Sequence, residues 1–494
     1  MNIGDVNFYG LLPLVIFVVS FCYLTLFRAL VRTNFDLHRK VGVITTIGSA
    51  AIVGVSQIIR WRQFDVGTLG NGDKLTLNSF VSTDRVSAIS ILVISMIVIL
   101  VTLYASSYLK ERSDIPAAEF FILLQVVVTG MFAFVMANDL VALFIALETF
   151  SIPLYVLTAF DRRRLRSLEG GFKYFLMGAV SSAIFLYGVA LHYGVAGTTA
   201  LVGTDNTATL ASVSMVMLSV GLLFKVAAFP FHFWSPDAYQ GAPSPVTAFM
   251  SAATKFAAFV VFARLVVADV IDVGVDSPAG RTVLTLTCIA STVYGAAVAL
   301  RQTNLKRAMA YSSISHTGYM LLALKSGGSL AMQSVVTYLI AYSFIIVGTF
   351  LIIGFLATSN EQNDSVLSIK GLAKTNPNIA GALVVFLLAQ AGIPLTSGFI
   401  AKFDVFRAAL QSGFYISSVI VLIGTVIGAA FYLRLVLSMY SDTFDQSEEA
   451  VASQIAIKAD TVARPTAVAI GICVFVTLAL GVLPMLLTGF THVL

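Results

Sequence analysis

Charge is what this chain has least of: 11% of its 494 residues are charged, against 58% hydrophobic, with a mean hydropathy of +0.92. A soluble globular domain carries about a quarter charged residues, so that class is excluded. Cysteine is nearly absent, and Cys22, Cys288 and Cys473 stand far apart inside apolar runs without metal-ligand spacing. Their isolation speaks against disulfides, a zinc site or iron–sulfur ligation. Among the 5 histidines no pair has haem-ligating geometry, and no glycine-rich nucleotide loop follows a strand. Long polar stretches are scarce too, the sizeable ones covering 61–83, 359–377 and 442–464. The net charge of +5 therefore carries no message about nucleic acid and reflects basic loops.

What is present is a succession of apolar runs about twenty residues long, the length a helix needs to cross a bilayer. Fourteen spans are predicted, near 9–30, 41–60, 84–108, 115–137, 139–160, 171–196, 208–234, 244–270, 281–301, 306–326, 330–358, 378–411, 415–441 and 465–490. The fold class is an all-α polytopic membrane protein. The first run is too long for a signal-peptide core and no small-residue cleavage site follows it, so it reads as the first span. With the N-terminus outside, most of the 30 basic residues fall on the cytoplasmic side, including Arg28, Arg32, Arg39, Lys40 and the cluster Arg162, Arg163, Arg164 and Arg166. This is the asymmetry the positive-inside rule describes. An even number of spans then places both termini on the periplasmic side.

Against this background a few ionisable residues fall inside spans. The stretch 222–255, LLFKVAAFPFHFWSPDAYQGAPSPVTAFMSAATK, holds Lys225 in one apolar helix, a break at Pro230, and Lys255 near the middle of the next. A lysine at mid-bilayer costs ~2.5–3.5 kcal/mol on insertion scales, so two in adjacent spans need a reason. Lysines near helix ends commonly snorkel to the headgroups, but Lys255 lies too deep for that. Glu148, five residues before Pro153, and Lys402 also lie within spans, and intramembrane charges of this kind mark ion paths. His316 is mid-span as well, where helix packing and a place in a relay are both open readings. His232, just past Pro230, reads equally well as an interfacial residue.

The spans also hide a repeat. Residues 1–114 form an N-terminal three-helix segment; 115–270 and 281–441 form two blocks of five helices; 442–494 hold a cytoplasmic loop and a final helix. Pro230 and Pro394 each fall in the fourth helix of their block, and Glu148 and His316 at near-equal offsets in the second. Five is odd, so the second block enters the membrane from the opposite side, the arrangement of an inverted repeat with function at broken helices. A proline frees the carbonyl four residues earlier, here those of Val226 and Gln390. Such groups persist in a bilayer only where protein or water satisfies them. Gly392, Pro394 and Gly398 loosen the second break, and Lys402 follows it.

The segments FKVAAFPFHFWSPDAYQGAPSPVTAF, NLKRAMAYSSISHTGYMLLAL, SLEGGFKYFLMGAVSSAIFLYG and AGIPLTSGFIAKF together resemble the antiporter-like membrane subunits of the proton-pumping NADH–quinone oxidoreductase (respiratory complex I). The likeness runs from about span four to span thirteen. The turn Pro236, Asp237, Tyr239, Gly241, Ala242 and Pro243 resembles the N-type subunits rather than the L and M types, and the chain leaves no room for the lateral helix of the L type. The resemblance implies a non-redox subunit of a translocase that moves protons, driven by quinone chemistry elsewhere in the complex. Carried over residue by residue, it implies a relay of Glu148, Lys225, Lys255 and Lys402, with His316 added from its offset. It implies no cofactor on this chain, with NADH, FMN, iron–sulfur clusters and quinone in other subunits. Its implied partners are the bilayer, a neighbouring homologous antiporter-like subunit and small membrane subunits, without nucleic acid. The implied location is the bacterial inner (plasma) membrane.

Lysine suits such a relay because a desolvated ammonium can release its proton, whereas a guanidinium cannot. A Glu148 anion brought near Lys225 or withdrawn from it would act as an electrostatic valve, and a direct or water-bridged pair is expected. Two other readings stand beside this one: a subunit of a multi-subunit sodium/proton antiporter, and a purely structural membrane subunit.

Overall fold

Hydrocarbon offers a peptide group no partner, so each apolar run must satisfy its backbone internally, and here the runs do so as helices. The computed structural model describes residues 8–31, 34–65, 80–203, 209–272, 278–357, 364–441 and 462–491. The helices are α1 (Phe8–Leu30), α2 (Phe35–Asp65), α3 (Arg85–Glu111), α4 (Ala117–Met136), α5 (Leu140–Thr158), α6 (Leu165–Ala196), α7 (Thr209–Lys225) and α8 (Trp234–Gly241). They continue as α9 (Ser244–Val267), α10 (Pro278–Arg301), α11 (Leu305–Leu324), α12 (Gly328–Leu356), α13 (Pro377–Ala391), α14 (Ser397–Gln411), α15 (Tyr415–Met439), α16 (Arg464–Val482) and the short α17 (Met485–Thr491).

Eleven of these are long and apolar enough to cross a membrane. The polar α11 and the two split helices α7/α8 and α13/α14 add three more, so the fourteen predicted spans are all found. α2 is longer than predicted, because its polar ends at Asp36 and Arg62 continue the helix beyond the apolar run. The acidic loop expected over 442–464 lies, apart from 462–464, outside the described residues.

Packing sorts the helices. α9 and α12 are buried along their whole membrane-crossing length, whereas α1, α6, α15 and α16 keep most of theirs on the outside. Val19, Leu30, Phe172, Val180, Ile416 and Phe475 project outward from those outer helices, as lipid-facing side chains do. α11 is buried nearly throughout, which is why it tolerates Ser312, Ser313, Ser315, His316 and Thr317 on successive faces. Three helix starts are capped by side chains that reach back onto the first turn: Asp84 and Ser87 form a reciprocal capping box on α3, Asp139 caps α5, and Asn304 caps α11.

The two breaks share one construction. α7 ends with the Ala227 N–H donating to the Phe224 carbonyl and the Ala228 N–H to the Leu223 carbonyl, both at 2.9 Å. α13 ends with the Gly392 N–H donating to the Ala389 carbonyl and the Ile393 N–H to the Leu388 carbonyl, both at 3.0 Å. Each is a Schellman stop, whose turning residue adopts the left-handed conformation. Ala227 has φ 56° and Gly392 φ 90°.

Gly392 has a second constraint, since a Cβ there would meet the Lys402 side chain at 2.9 Å. Gly392→Ala is therefore expected to destabilise the second break by about 1–2 kcal/mol from the left-handed backbone alone, with Lys402 displaced in addition. The thermal midpoint of the detergent-solubilised protein measures it; an unchanged midpoint would contradict the packing described here.

Candidate functional site

Lys225 is the last residue of α7, and burial of 97% puts it out of reach of bulk solvent (3% exposed). Its Nζ donates to Ser151 Oγ at 2.7 Å and to the Tyr174 hydroxyl at 3.4 Å. It also lies over the rings of Phe150, Tyr174 and Tyr155 at 4.5, 5.4 and 5.6 Å from their centroids. Desolvated cation–π contacts of this kind are worth about 1–2 kcal/mol each and offset part of the cost of burying the cation. Tyr174 is held in turn by stacking on Trp234 of α8 at 4.2 Å, and the Trp234 indole N–H donates to the Phe224 carbonyl at 3.0 Å. The second half of the broken helix thus braces the lysine in the first half.

Glu148 sits half-buried one turn before Ser151 on α5 and accepts from the Ser182 hydroxyl of α6. The expected direct Glu148–Lys225 ion pair is not made. The two side chains leave α5 in different directions, the carboxylate toward α6 and the Ser151 hydroxyl toward α7. Glu148 and Ser151 are separated by about 4.5 Å along the helix axis. Lys225 reaches the nearer, fully buried Ser151.

Lys255 follows a π-helical turn, Met250–Thr254, and is 1% exposed. Such turns widen a helix locally and recur at functional positions. Its Nζ donates to the Ser313 carbonyl at 2.6 Å and to Thr317 Oγ1 at 2.8 Å. Thr317 Oγ1 donates at 2.8 Å to the Val226 carbonyl, the group that Pro230 frees. The residue beside Lys225 is thereby linked through one hydroxyl to Lys255.

The second break repeats this with its own lysine. Lys402 Nζ donates to the Gln390 carbonyl at 2.8 Å and the Ala391 carbonyl at 3.0 Å, so the group freed by Pro394 is also satisfied. Between Lys255 and Lys402 stands His316, bonded through Nδ1 to the Tyr338 hydroxyl at 2.6 Å and through Nε2 to the Tyr432 hydroxyl at 3.0 Å. Tyr432 meets Ser312 Oγ at 2.5 Å, and Ser312 Oγ donates to Gln390 Oε1 at 3.3 Å. One donor order satisfies every member: Tyr338 into His316 Nδ1, His316 Nε2–H into Tyr432, Tyr432 into Ser312, Ser312 into Gln390. Helices α11, α12, α13, α14 and α15 meet at this chain.

Of the five residues singled out from the sequence, Lys225, Lys255, His316 and Lys402 are buried along this polar line, and Glu148 stands at its edge. His232 is buried rather than interfacial, at 1% exposure, stacked among Phe229, Phe233 and Tyr294. Tyr338, Tyr432, Ser312, Thr317 and Gln390 were not anticipated, because a single hydroxyl or amide in an apolar run carries no sequence signal. Lys306, 0% exposed, donates to the Ala242 carbonyl at 3.3 Å, and Asp237 receives Lys173 at 2.8 Å and Arg307. These tie α8 and the turn after it to α6 and α11.

Two interrupted spans with buried charges at their ends are the architecture of membrane transport proteins with discontinuous helices. Residues 137–428 match the family described as NADH:quinone oxidoreductase/Mrp antiporter, TM, and the chain belongs to that family. NADH-quinone oxidoreductase subunit N of Rhodococcus opacus (strain B4) is 42% identical over 368 residues, 72% of this chain and 66% of the relative. This chain thus spans about two thirds of that relative. The solved respiratory complex I from Thermus thermophilus with bound aureothin contains a chain 28% identical, with a TM-score of 0.78 over 97% of this chain and 98% of that one. A chain of the Mrp complex from Dietzia sp. DQ12-45-1b, 21% identical, shares the fold alone, with a TM-score of 0.81 over 98% and 96%.

Proposed function

We propose that this chain is a proton-translocating membrane subunit of an NADH–quinone oxidoreductase, and that Glu148, Lys225, Lys255, His316 and Lys402 form its relay. One observation supports this above the rest. The carbonyls freed by both prolines are bonded to the lysine network, Val226 through Thr317 to Lys255 and Gln390 directly to Lys402. The breaks and the charges form one construction, and a helix kinked for packing alone has no need of it. Lys225 alternates between its Ser151 cage and the Glu148 carboxylate one turn away. Lys255 receives the proton, the His316–Tyr432–Ser312 chain carries it across, and Lys402 loads the far side. Moving one charge against ~100 mV requires about 2.3 kcal/mol.

In this reading the subunit binds no redox cofactor; NADH, FMN, iron–sulfur clusters and quinone belong to other subunits. It sits in the bacterial inner membrane with both termini periplasmic, between a homologous antiporter-like subunit and smaller membrane subunits. The blocks 115–270 and 281–441 are its two inverted halves. The test is NADH-driven proton uptake by inverted vesicles, recorded beside electron transfer to quinone. Glu148→Gln is expected to lower uptake about a hundredfold or more, the range of a lost proton-transfer group, with the complex assembled in normal amount. Uptake at the wild-type rate removes Glu148 from the relay. Transport that requires sodium favours the antiporter reading instead.

A further inference from the structure

The relay accounts for the buried side chains of Lys225, Lys255, His316 and Lys402, and Lys306 holds the turn after α8, but Lys325 is a further buried lysine with neither role. Lys325 caps the C-terminal end of α11 and is 3% exposed. It lines a cavity of about 510 Å³ at the end of the bundle opposite Asp237, together with Asp269, Asp272, Arg281, Ser412 and Phe414. A lysine that only snorkelled would send its ammonium out into that cavity. Here the ammonium donates to the buried Ser417 Oγ at 2.9 Å and lies 4.3 Å from the centroid of the Phe414 ring in the cavity wall. The cavity carries two carboxylates and the Arg281 guanidinium, which itself lies 5.1 Å from the Phe414 ring centroid. Such a lining holds water rather than hydrocarbon.

Ser417 lies in the first turn of α15, and further along α15 the helix meets α11 again. On that seam between α11 and α15 the Tyr319 hydroxyl donates to Thr425 Oγ1 at 2.9 Å, and the Tyr319 ring centroid lies 4.9 Å from Lys402 Nζ. Ser417 and Thr425 share α15, eight residues and about 12 Å apart. Gly318 of α11 and Gly424 of α15 both pack closely against Thr292 of α10 beside this seam.

We propose that Lys325 is the residue through which the relay exchanges protons with this aqueous cavity. The step is a proton transfer: the Lys325 ammonium gives one proton to cavity water, leaving a neutral amine and a hydronium ion. The amine is then reprotonated from the Lys402 side along the Tyr319–Thr425 seam. The inference rests on the proposed function, and it adds a residue and an opening to it.

Lys325→Arg keeps the charge, the donor to Ser417 and the ring contact, but gives up no proton. In inverted vesicles it is expected to reduce NADH-driven proton uptake about a hundredfold or more while the complex assembles normally. Lys225→Arg is measured alongside. If that variant takes up protons normally, the function reading itself fails; if it is inactive while Lys325→Arg takes up protons like the wild type, only the present proposal fails. Aqueous access is tested separately with Lys325→Cys in a Cys22→Ser background, assembled in the whole complex and treated with a membrane-impermeant methanethiosulfonate. Labelling from one side of the membrane only is expected. Absence of labelling from both sides would overturn the proposal, including in the case where Lys325→Arg fails to assemble.

Discussion

Lys225→Arg is expected to abolish NADH-driven proton uptake in inverted vesicles, by about a hundredfold or more, while leaving the complex assembled. The substitution separates charge from proton exchange. A guanidinium still donates to Ser151 Oγ and still faces the rings of Phe150, Tyr155 and Tyr174, so the electrostatic fit of the cage survives. What is lost is the neutral form of the side chain. If Lys225 serves only to pin α7 against α5 and α6, arginine does that equally well and uptake stays at the wild-type level. Assembly is read from the amount of complex in the membrane, and uptake is normalised to it. Lys225→Met is the companion variant: it lacks charge and donor, and leaves Ser151 and Tyr174 without their buried partner. A structural role for Lys225 predicts that methionine is worse than arginine; a relay role predicts that both fail to pump.

Depth made the charges legible in the sequence. Lys225, Lys255 and Lys402 lie far enough inside apolar runs that insertion cost alone sets them apart, and the structure buries all three. Pro230 and Pro394 marked the breaks for an equally local reason, since a ring nitrogen cannot donate and the helix must stop nearby. Even the identity of the freed carbonyls, Val226 and Gln390, followed from counting back four residues. Lys325 was not legible as a buried residue, because a lysine at the end of an apolar run looks the same whether it snorkels or is buried. The hydrogen bonds around Lys255 and His316 were not legible either. They are made by Tyr338, Tyr432, Ser312, Thr317 and Gln390, which lie on four helices and come together only when those helices pack. The Glu148–Lys225 pair was expected from their joint cost. Ser151, a single turn further along α5, intercepts the ammonium because a hydroxyl facing α7 is closer than a carboxylate facing α6.

Lys402 separates the two roles that a buried lysine can hold, and its variants are expected to fail in different ways. Its ammonium donates to the carbonyls of Gln390 and Ala391, which α13 leaves open where it stops at Gly392. Lys402→Met fills a similar volume with no donor, so both carbonyls lose that partner. An unsatisfied buried acceptor costs about 1–3 kcal/mol, and two bring the expected loss to about 2–6 kcal/mol, comparable with the whole stability of many folded domains. Lys402→Met is therefore expected to lower the thermal midpoint of the solubilised protein and the yield of assembled complex. Lys402→Arg supplies donors at nearly the same reach and is expected to restore midpoint and yield, yet to leave proton uptake as low as in the methionine variant, because the guanidinium holds its proton. The decisive comparison is stability against uptake in this pair. Recovery of both by arginine reduces Lys402 to a brace for the second break, and recovery of neither shows that the broken helix needs the lysine's geometry as well as its donors.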